Sequence, residues 1–337
     1  MLQSFLTVGQ QIITLYLLLV VGFVLGKVKM LDDRASAAMS NLVMYVVSPC
    51  MMVVAFQRPL ERTALHNFGV VTGVSVILHA VFILAAVLLI RDRNTERQSA
   101  LRFAAVFTNC GFMGYPLMAA LLGSLGVFYG SAYVIVFTVL SWTWGVYEFT
   151  GDRRQLRLKP LLLNPGVLSV VVAMALYLTE ITVPEFLMVP INYLADLNTP
   201  LPMLVVGYQL SHADFKAALR GVSSWVALVL RLVVLPLISL GLCLVLGVSH
   251  DLTLVLIIAA SAPPAALLSM FAARFGKDTA LTSSLVSVQT AISAATRPLL
   301  VGLAEVLASQ QKDAPRRGAS FVVTLCAVWR PGPAGDG

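Results

Sequence analysis

Long apolar segments separated by short polar connections are the feature that most constrains the fold of this chain. Each segment holds about 20 residues, the length at which a helix crosses a hydrocarbon core of about 30 Å. A helix of that length satisfies its own backbone hydrogen bonds, which lipid cannot do. We therefore predict an all-α polytopic membrane protein. Its ten predicted transmembrane segments are Phe5–Leu25, Ala38–Phe56, Phe68–Ile90, Leu101–Leu122, Val127–Phe149, Leu161–Leu178, Phe186–Leu210, Ser223–Leu246, Leu252–Phe275 and Leu281–Leu307.

Composition excludes a soluble globular protein and argues against nucleic acid as a partner. Apolar residues make up 58% of the chain and charged residues only 12%, about half the charged share of an average soluble domain. The net charge of +7 comes mainly from basic residues in the short connections, where membrane orientation explains them. The four cysteines show no CxxC or Cys/His spacing, so neither a disulfide framework nor a zinc site is predicted.

The basic residues also predict the orientation of the chain. They concentrate in the connections after odd-numbered segments, whereas the connections after the second, fourth, sixth and eighth segments hold only Arg58 and Arg62. The positive-inside rule places the basic connections in the cytoplasm. We therefore expect a multi-pass protein of the cytoplasmic (inner) membrane with both termini on the non-cytoplasmic side.

The longest polar connection divides the predicted segments into two sets of five. Two halves with an odd number of segments must insert in opposite orientations, which is the inverted-repeat arrangement of many secondary transporters. We assign residues 1–150 to the first repeat, 151–160 to a basic cytoplasmic linker and 161–307 to the second repeat. Residues 308–337 are predicted to be a disordered tail.

Two segments at matching positions in the halves carry residues that interrupt helices. The fourth contains Thr108-Asn109-Cys110-Gly111-Phe112-Met113-Gly114-Tyr115-Pro116, and the ninth contains Ser261-Ala262-Pro263-Pro264-Ala265. A proline inside a helix removes a backbone hydrogen bond and clashes with the preceding turn. Matched interruptions indicate a transport site, with half-helix N-termini turned towards an anion. The predicted substrate-binding residues are Asn109, Gly111, Gly114, Pro116, Ser261, Pro263 and Pro264.

Further candidates for substrate or coupling contacts lie elsewhere in the segments. The second and seventh segments each place a polar residue before a proline, at Ser48-Pro49 and at Asn198-Thr199-Pro200. Arg231 can attract a carboxylate or extend to the cytoplasmic headgroups. Arg297 can contact substrate or anchor the chain at the outer surface. Asp196 is either a proton or cation site or a carboxylate at a helix start.

These interrupted segments resemble those of the auxin efflux carrier family of secondary transporters. The resemblance covers residues 5–305 and includes NLVMYVVSP, TNCGFMGYPLMAALLG, LNPGVLSVVVAMAL, NTPLPMLVVGYQL and SAPPAALLSMFAARFGKD, in this order. The chain lacks the long central loop of the plant auxin exporters and is therefore similar to the short bacterial carriers associated with malonate and malate.

The resemblance implies ten helices in two inverted repeats, as in bile-acid symporters and sodium/proton antiporters. It implies that the fourth and ninth helices cross at their broken centres, and that a transport domain moves like an elevator against a scaffold. The family's crossover asparagine falls on Asn109 and its crossover proline on Pro116. In the ninth segment the proline falls on Pro263 or Pro264, and both assignments stay open.

The sequence thus predicts a carrier of a small organic anion, a mono- or dicarboxylate such as malonate or malate, with no catalytic residues, metal or cofactor. The lipid bilayer is its other partner, and a homodimer remains open. One alternative is a sodium- or proton-coupled importer of another organic solute on the same fold. An intramembrane enzyme is disfavoured because HExxH and paired acidic motifs are absent from the sequence.

Overall fold

The structure is a computed structural model that describes residues 2–152, 154 and 163–312. The regular secondary structure of these residues is helical. The described residues contain no strand, and their one isolated bridge joins Thr108 to Pro264. The helices are α1 (Leu2–Lys27), α2 (Asp33–Phe56), α3 (Arg62–Leu89), α4 (Thr95–Val106), α5 (Cys110–Thr150), α6 (Pro165–Leu178), α7 (Glu185–Asp196), α8 (Pro200–Ser211), α9 (Phe215–Ala218), α10 (Val222–Val245), α11 (His250–Ala260), α12 (Leu267–Arg274) and α13 (Thr279–Lys312).

Six of these helices are long and apolar enough to cross a membrane, namely α1, α2, α3, α5, α10 and α13. Two shorter helices, α6 and α11, are also apolar. This confirms the prediction of an all-α polytopic membrane protein. The long helix α5 bends at Gly123, whose φ of +62° is a left-handed conformation that glycine adopts at low cost. The bend falls where the sequence predicted the end of its fourth segment.

In two long helices, α2 and α10, a proline follows a π turn. In α2 the π turn Val43–Val47 precedes Pro49, and in α10 the π turn Leu230–Val234 precedes Pro236. A π turn widens the backbone locally, so the helix accommodates a proline that has no N–H to donate. The second segment is therefore kinked but continuous, unlike the fourth and ninth.

Helices α1 and α8 approach each other backbone to backbone through glycines. A Cβ atom added at Gly22 would lie 2.3 Å from the carbonyl oxygen of Leu204, and one added at Gly207 would lie 2.0 Å from that of Leu19. Small residues permit such close approach in membrane proteins, where van der Waals packing replaces the hydrophobic effect between helices. The pair α1 and α8 thus forms a tightly packed unit.

Helix α11 lies at the centre of the protein. Every residue from Leu252 to Ala260 is buried, and the sequence of this stretch is apolar on all sides of the helix. It packs against α5, α10 and α13. The break that follows α11 is therefore enclosed by other helices.

Polar contacts tie the α3–α4 connection to the start of α10. Arg97 forms an ion pair with Asp92 at 3.5 Å and donates hydrogen bonds to the Arg220 carbonyl and to the Ser224 hydroxyl. The Ser223 hydroxyl donates to the Asp92 carboxylate. These contacts lie among the connections predicted to face the cytoplasm.

Two sequence assignments fall largely outside the described residues. Of the linker 151–160, only Gly151, Asp152 and Arg154 are described, and of the tail 308–337, only residues 308–312 are described. Those last residues belong to helix α13, which continues to Lys312. The rest of the predicted tail lies outside the described residues, so the assignment of residues 308–337 stays a prediction.

Candidate functional site

Two interrupted helices meet in the interior of the protein. Helix α4 ends at Val106 and α5 begins at Cys110, while α11 ends at Ala260 and α12 begins at Leu267. Phe107 to Asn109 in the first break and Ser261 to Pro264 in the second are buried. These are the interruptions predicted from the glycines and prolines of the fourth and ninth segments.

The two breaks pair with each other as a minimal antiparallel ladder. The Asn109 N–H donates to the Pro263 carbonyl at 2.7 Å, and the Ala265 N–H donates to the Phe107 carbonyl at 2.9 Å. Thr108 and Pro264 form the bridge between them. Unwound backbone at membrane depth must satisfy its polar groups within the protein, and this ladder satisfies part of that need. We call this pairing the crossing.

The carbonyl groups freed by the breaks receive hydrogen bonds from Arg231. The helical donor for the Ala260 carbonyl would be the nitrogen of Pro264, which carries no hydrogen. Arg231 supplies the missing donor through Nη2. Its Nη1 donates to the carbonyls of Ala105 at 2.8 Å and Val106 at 3.2 Å.

Arg297, on α13, contacts a second set of carbonyls near the crossing. Its Nη2 donates to the Met113 carbonyl at 2.8 Å and to the Ile258 carbonyl at 3.3 Å. Ile258 has lost its helical donor because the Ala262 N–H turns to the Ala259 carbonyl instead. Arg297 therefore joins the first turn of α5 to the last turn of α11.

Both arginines are enclosed by protein, with exposures of 0% for Arg231 and 1% for Arg297. The alternatives of a headgroup contact for Arg231 and of an outer-surface anchor for Arg297 are therefore wrong. Within the described part of the chain, neither guanidinium forms a salt bridge with a carboxylate. Two positive charges thus lie beside the crossing, and the hydrogen bonds that they donate go to backbone carbonyls.

Several buried polar atoms at the crossing have no hydrogen-bond partner among the described residues. They are Nδ2 of Asn109 and Nε of both arginines. Asn109 is the residue before α5, yet its side chain does not cap that helix. Buried polar atoms nearly always have a partner, so these atoms mark a place where a polar ligand or water can bind.

The second matched pair also meets in space. The Ser48 hydroxyl donates to Oδ1 of Asn198 at 3.3 Å, and Nδ2 of Asn198 has no partner in the described chain. Helices α7 and α8 are separate, with Asn198 and Thr199 between them and Pro200 opening α8. Asp196 is the exposed last residue of α7, so the expectation of a carboxylate at a helix start is wrong.

The structure brings together only some of the predicted site residues. Asn109 contacts Pro263 directly, and Ser261 lies in the same connection of the ninth segment. Gly111, Gly114 and Pro116 lie in the first turns of α5. The role of Thr108 and of the Ala105, Met113 and Ala260 carbonyls was missed. The missing N–H of Pro264 was the one signal that pointed to an unpaired carbonyl at residue 260.

Comparison with known proteins supports a transporter. A sequence profile described as "Membrane transport protein" matches residues 7–160 and 153–301. A Methanothermobacter thermautotrophicus protein described as an uncharacterized transporter is 23% identical over 300 residues, covering 86% of this chain and 96% of the relative. An uncharacterized transporter of Methanocaldococcus jannaschii is 23% identical over 294 residues, covering 84% of this chain and 94% of the relative.

The profile matches extend over most of the chain, including both halves of the crossing. They agree with the resemblance carried by the interrupted segments and exclude an intramembrane enzyme. The chain is a membrane transporter that belongs to the auxin efflux carrier family.

Proposed function

We propose that this protein is a secondary active transporter that binds a small organic anion at the crossing and moves it across the cytoplasmic membrane. The observation that carries the proposal is the unpartnered Nδ2 of Asn109, which is buried beside the paired breaks. The substrate is a mono- or dicarboxylate such as malonate or malate. A carboxylate oxygen would accept the hydrogen bond that this amide lacks.

The electrostatics of the crossing favour an anion. The N-terminus of α5 begins beside Asn109, and a helix N-terminus carries about half a positive elementary charge. Arg297 adds a full positive charge that no carboxylate of the described residues balances. A buried charge without a counter-charge is costly, so a bound anion would lower the energy of the site.

The proposed architecture has ten transmembrane segments in two inverted repeats. In this assignment α4 and residues 110–122 of α5 form the fourth segment, and α11 with α12 forms the ninth. Helices α7 and α8 form the seventh, and residues 124–150 of α5 form the fifth. The crossing then joins equivalent segments of the two repeats, as in other carriers that bind substrate at interrupted helices.

The proposed transport cycle is an elevator motion. The close backbone contact between α1 and α8 suits a rigid scaffold, because such a contact tolerates little displacement. The crossing and its two arginines move as one body and expose the site alternately to each side. One elementary charge gains or loses about 2.3 kcal/mol across 100 mV, so an uncompensated anion is driven out of a cell with a negative interior.

Charge movement on a solid-supported membrane tests this function. Purified protein in liposomes is challenged with malonate, malate, lactate and indole-3-acetate, and we expect a saturable current for at least one acid. Asn109→Ala should abolish that current, because the amide that binds the carboxylate is removed. It should leave folding intact, because the lost Nδ2 has no partner in the described chain.

The matched control is Asn192→Ala, which replaces an exposed asparagine of α7 and should keep the native current. A full native current in Asn109→Ala would contradict a substrate site at the crossing. Uptake of radiolabelled acid under a pH gradient accompanies the current measurement, so that electroneutral transport is also detected. Absence of both current and uptake for all four acids would contradict the choice of substrate class.

A further inference from the structure

Arg231 lies among the kind of backbone groups that bind a coupling ion in other carriers with interrupted helices. In such carriers, unwound carbonyls and the C-terminal ends of half-helices coordinate sodium or a proton. Here the C-terminal ends of α4 and α11 converge on the guanidinium of Arg231. Each helix end carries about half a negative elementary charge, so together they balance one fixed cation.

The carbonyls that Arg231 contacts are those that the breaks leave without a helical donor. The Asn109 N–H, which would serve the Ala105 carbonyl in a regular helix, donates to Pro263 instead. Pro264 has no N–H for the Ala260 carbonyl. An unsatisfied backbone carbonyl is costly in a membrane interior, so a donor at this point is required for the two breaks to pair.

The shape of the guanidinium suits this task. Arginine presents its donors in a rigid planar fork, whereas lysine presents one compact charge on a flexible stem. Nη1 of Arg231 donates a hydrogen bond to α4, and Nη2 donates one to α11. The guanidinium carbon also lies 5.4 Å from the ring centroid of Phe82. The aromatic face adds a cation–π contact.

We propose that Arg231 is a positioning residue that serves as the built-in cation of the crossing, so that transport needs no sodium ion there. This inference rests on the proposed function in one respect, namely that the crossing is the transport site. The proposed role of Arg231 is distinct from substrate binding, because the two nitrogens that bridge the half-helices already donate to backbone carbonyls. It also argues against the sodium-coupled alternative.

Removing the guanidinium creates a vacancy that a free cation can fill. Arg231→Ala is compared with native protein and with Arg93→Ala, which replaces an exposed arginine of the α3–α4 connection. Thermal unfolding in detergent is measured in choline chloride with added sodium chloride or millimolar methylguanidinium. We expect the added cation to stabilise Arg231→Ala alone, since a ligand that binds only the folded state raises its stability.

Flux in liposomes supplies the second measurement. Flux of the native protein should be equal in sodium and choline media. Flux of Arg231→Ala should fall about tenfold or more, equivalent to at least about 1.4 kcal/mol. Methylguanidinium should restore the flux of this variant. Arg231→Lys keeps the charge without the fork, so we expect it to fold and retain partial flux in choline. This variant keeps the test decisive if Arg231→Ala does not fold.

Three results would overturn the inference: native flux that requires sodium, Arg231→Ala that matches native protein in choline, or a folded Arg231→Ala that no cation stabilises. The last result would mean that the arginine only fills space. Absence of transport by native protein would count against the proposed function alone, because the unfolding measurement needs no substrate.

Discussion

Replacing Gly207 by alanine should separate helices α1 and α8. The new Cβ would lie 2.0 Å from the Leu19 carbonyl oxygen and 2.7 Å from the Phe23 nitrogen. Both are backbone atoms, so no side-chain rotation can relieve the overlap. Ordinary van der Waals contact begins at 3.4 Å, and the two helices would therefore have to move apart by more than about 1 Å.

The expected destabilisation follows from two opposing terms. Overpacking costs about 1–3 kcal/mol, and a backbone-to-backbone overlap belongs at the upper end of that range. Alanine recovers about 0.5–1 kcal/mol relative to glycine inside a helix. The free energy of unfolding of Gly207→Ala should therefore fall by about 2 kcal/mol.

Reversible unfolding in mixed detergent micelles measures this change. Gly9→Ala is the matched control on α1, because a Cβ there would have nothing within 4 Å, and it should be neutral or slightly stabilising. Gly22→Ala should lower the free energy of unfolding by a similar amount to Gly207→Ala. The double variant should lower it by less than the sum of the two, because one helix displacement relieves both overlaps. Equal stability of Gly207→Ala and Gly9→Ala would refute the close approach of these helices.

Two further variants test other contacts. Arg297→Ala leaves the Met113 and Ile258 carbonyls without this donor, so unfolding in micelles should show a loss of about 1–3 kcal/mol; unchanged stability would contradict the contact. Burial opposes ionisation of Asp92, but hydrogen bonds from Ser223 and from backbone amides, and the charge of Arg97, outweigh it and lower the pKa. A carboxyl group whose pKa is lowered on folding stabilises the folded state above its usual pKa. This stabilisation is lost as the pH falls through the lowered pKa. The stability difference between native protein and Asp92→Asn should therefore shrink below about pH 4; a difference that stays constant there would exclude this contribution.

The interruptions of the helices could be predicted because their cause is local. Proline removes a donor from its own backbone and glycine lowers the cost of unusual conformations, so the breaks after Val106 and Ala260 are visible in the residues around them. The sequence showed that the motifs around Ser48 and Asn198 match each other, but it did not predict that the two side chains make contact. A hydrogen bond across 150 residues of sequence is not encoded by either motif alone.

The partners of the buried arginines could not be predicted for the same reason. Arg231 contacts carbonyls that are 126, 125 and 29 residues away along the chain. A backbone carbonyl is present at every residue, so no side-chain pattern identifies it as a partner. The sequence predicted that each arginine either contacts substrate or lies at a membrane surface. Only the burial of both side chains in the structure excludes the surface position.

The location of a bound acid tests the central proposal most directly. We would determine the structure of the protein in lipid nanodiscs with whichever acid it transports. We expect a carboxylate oxygen within hydrogen-bonding distance of the Asn109 side-chain nitrogen, between the paired breaks. An acid bound away from the crossing, with Asn109 Nδ2 still lacking a partner, would contradict the assignment of this site to substrate.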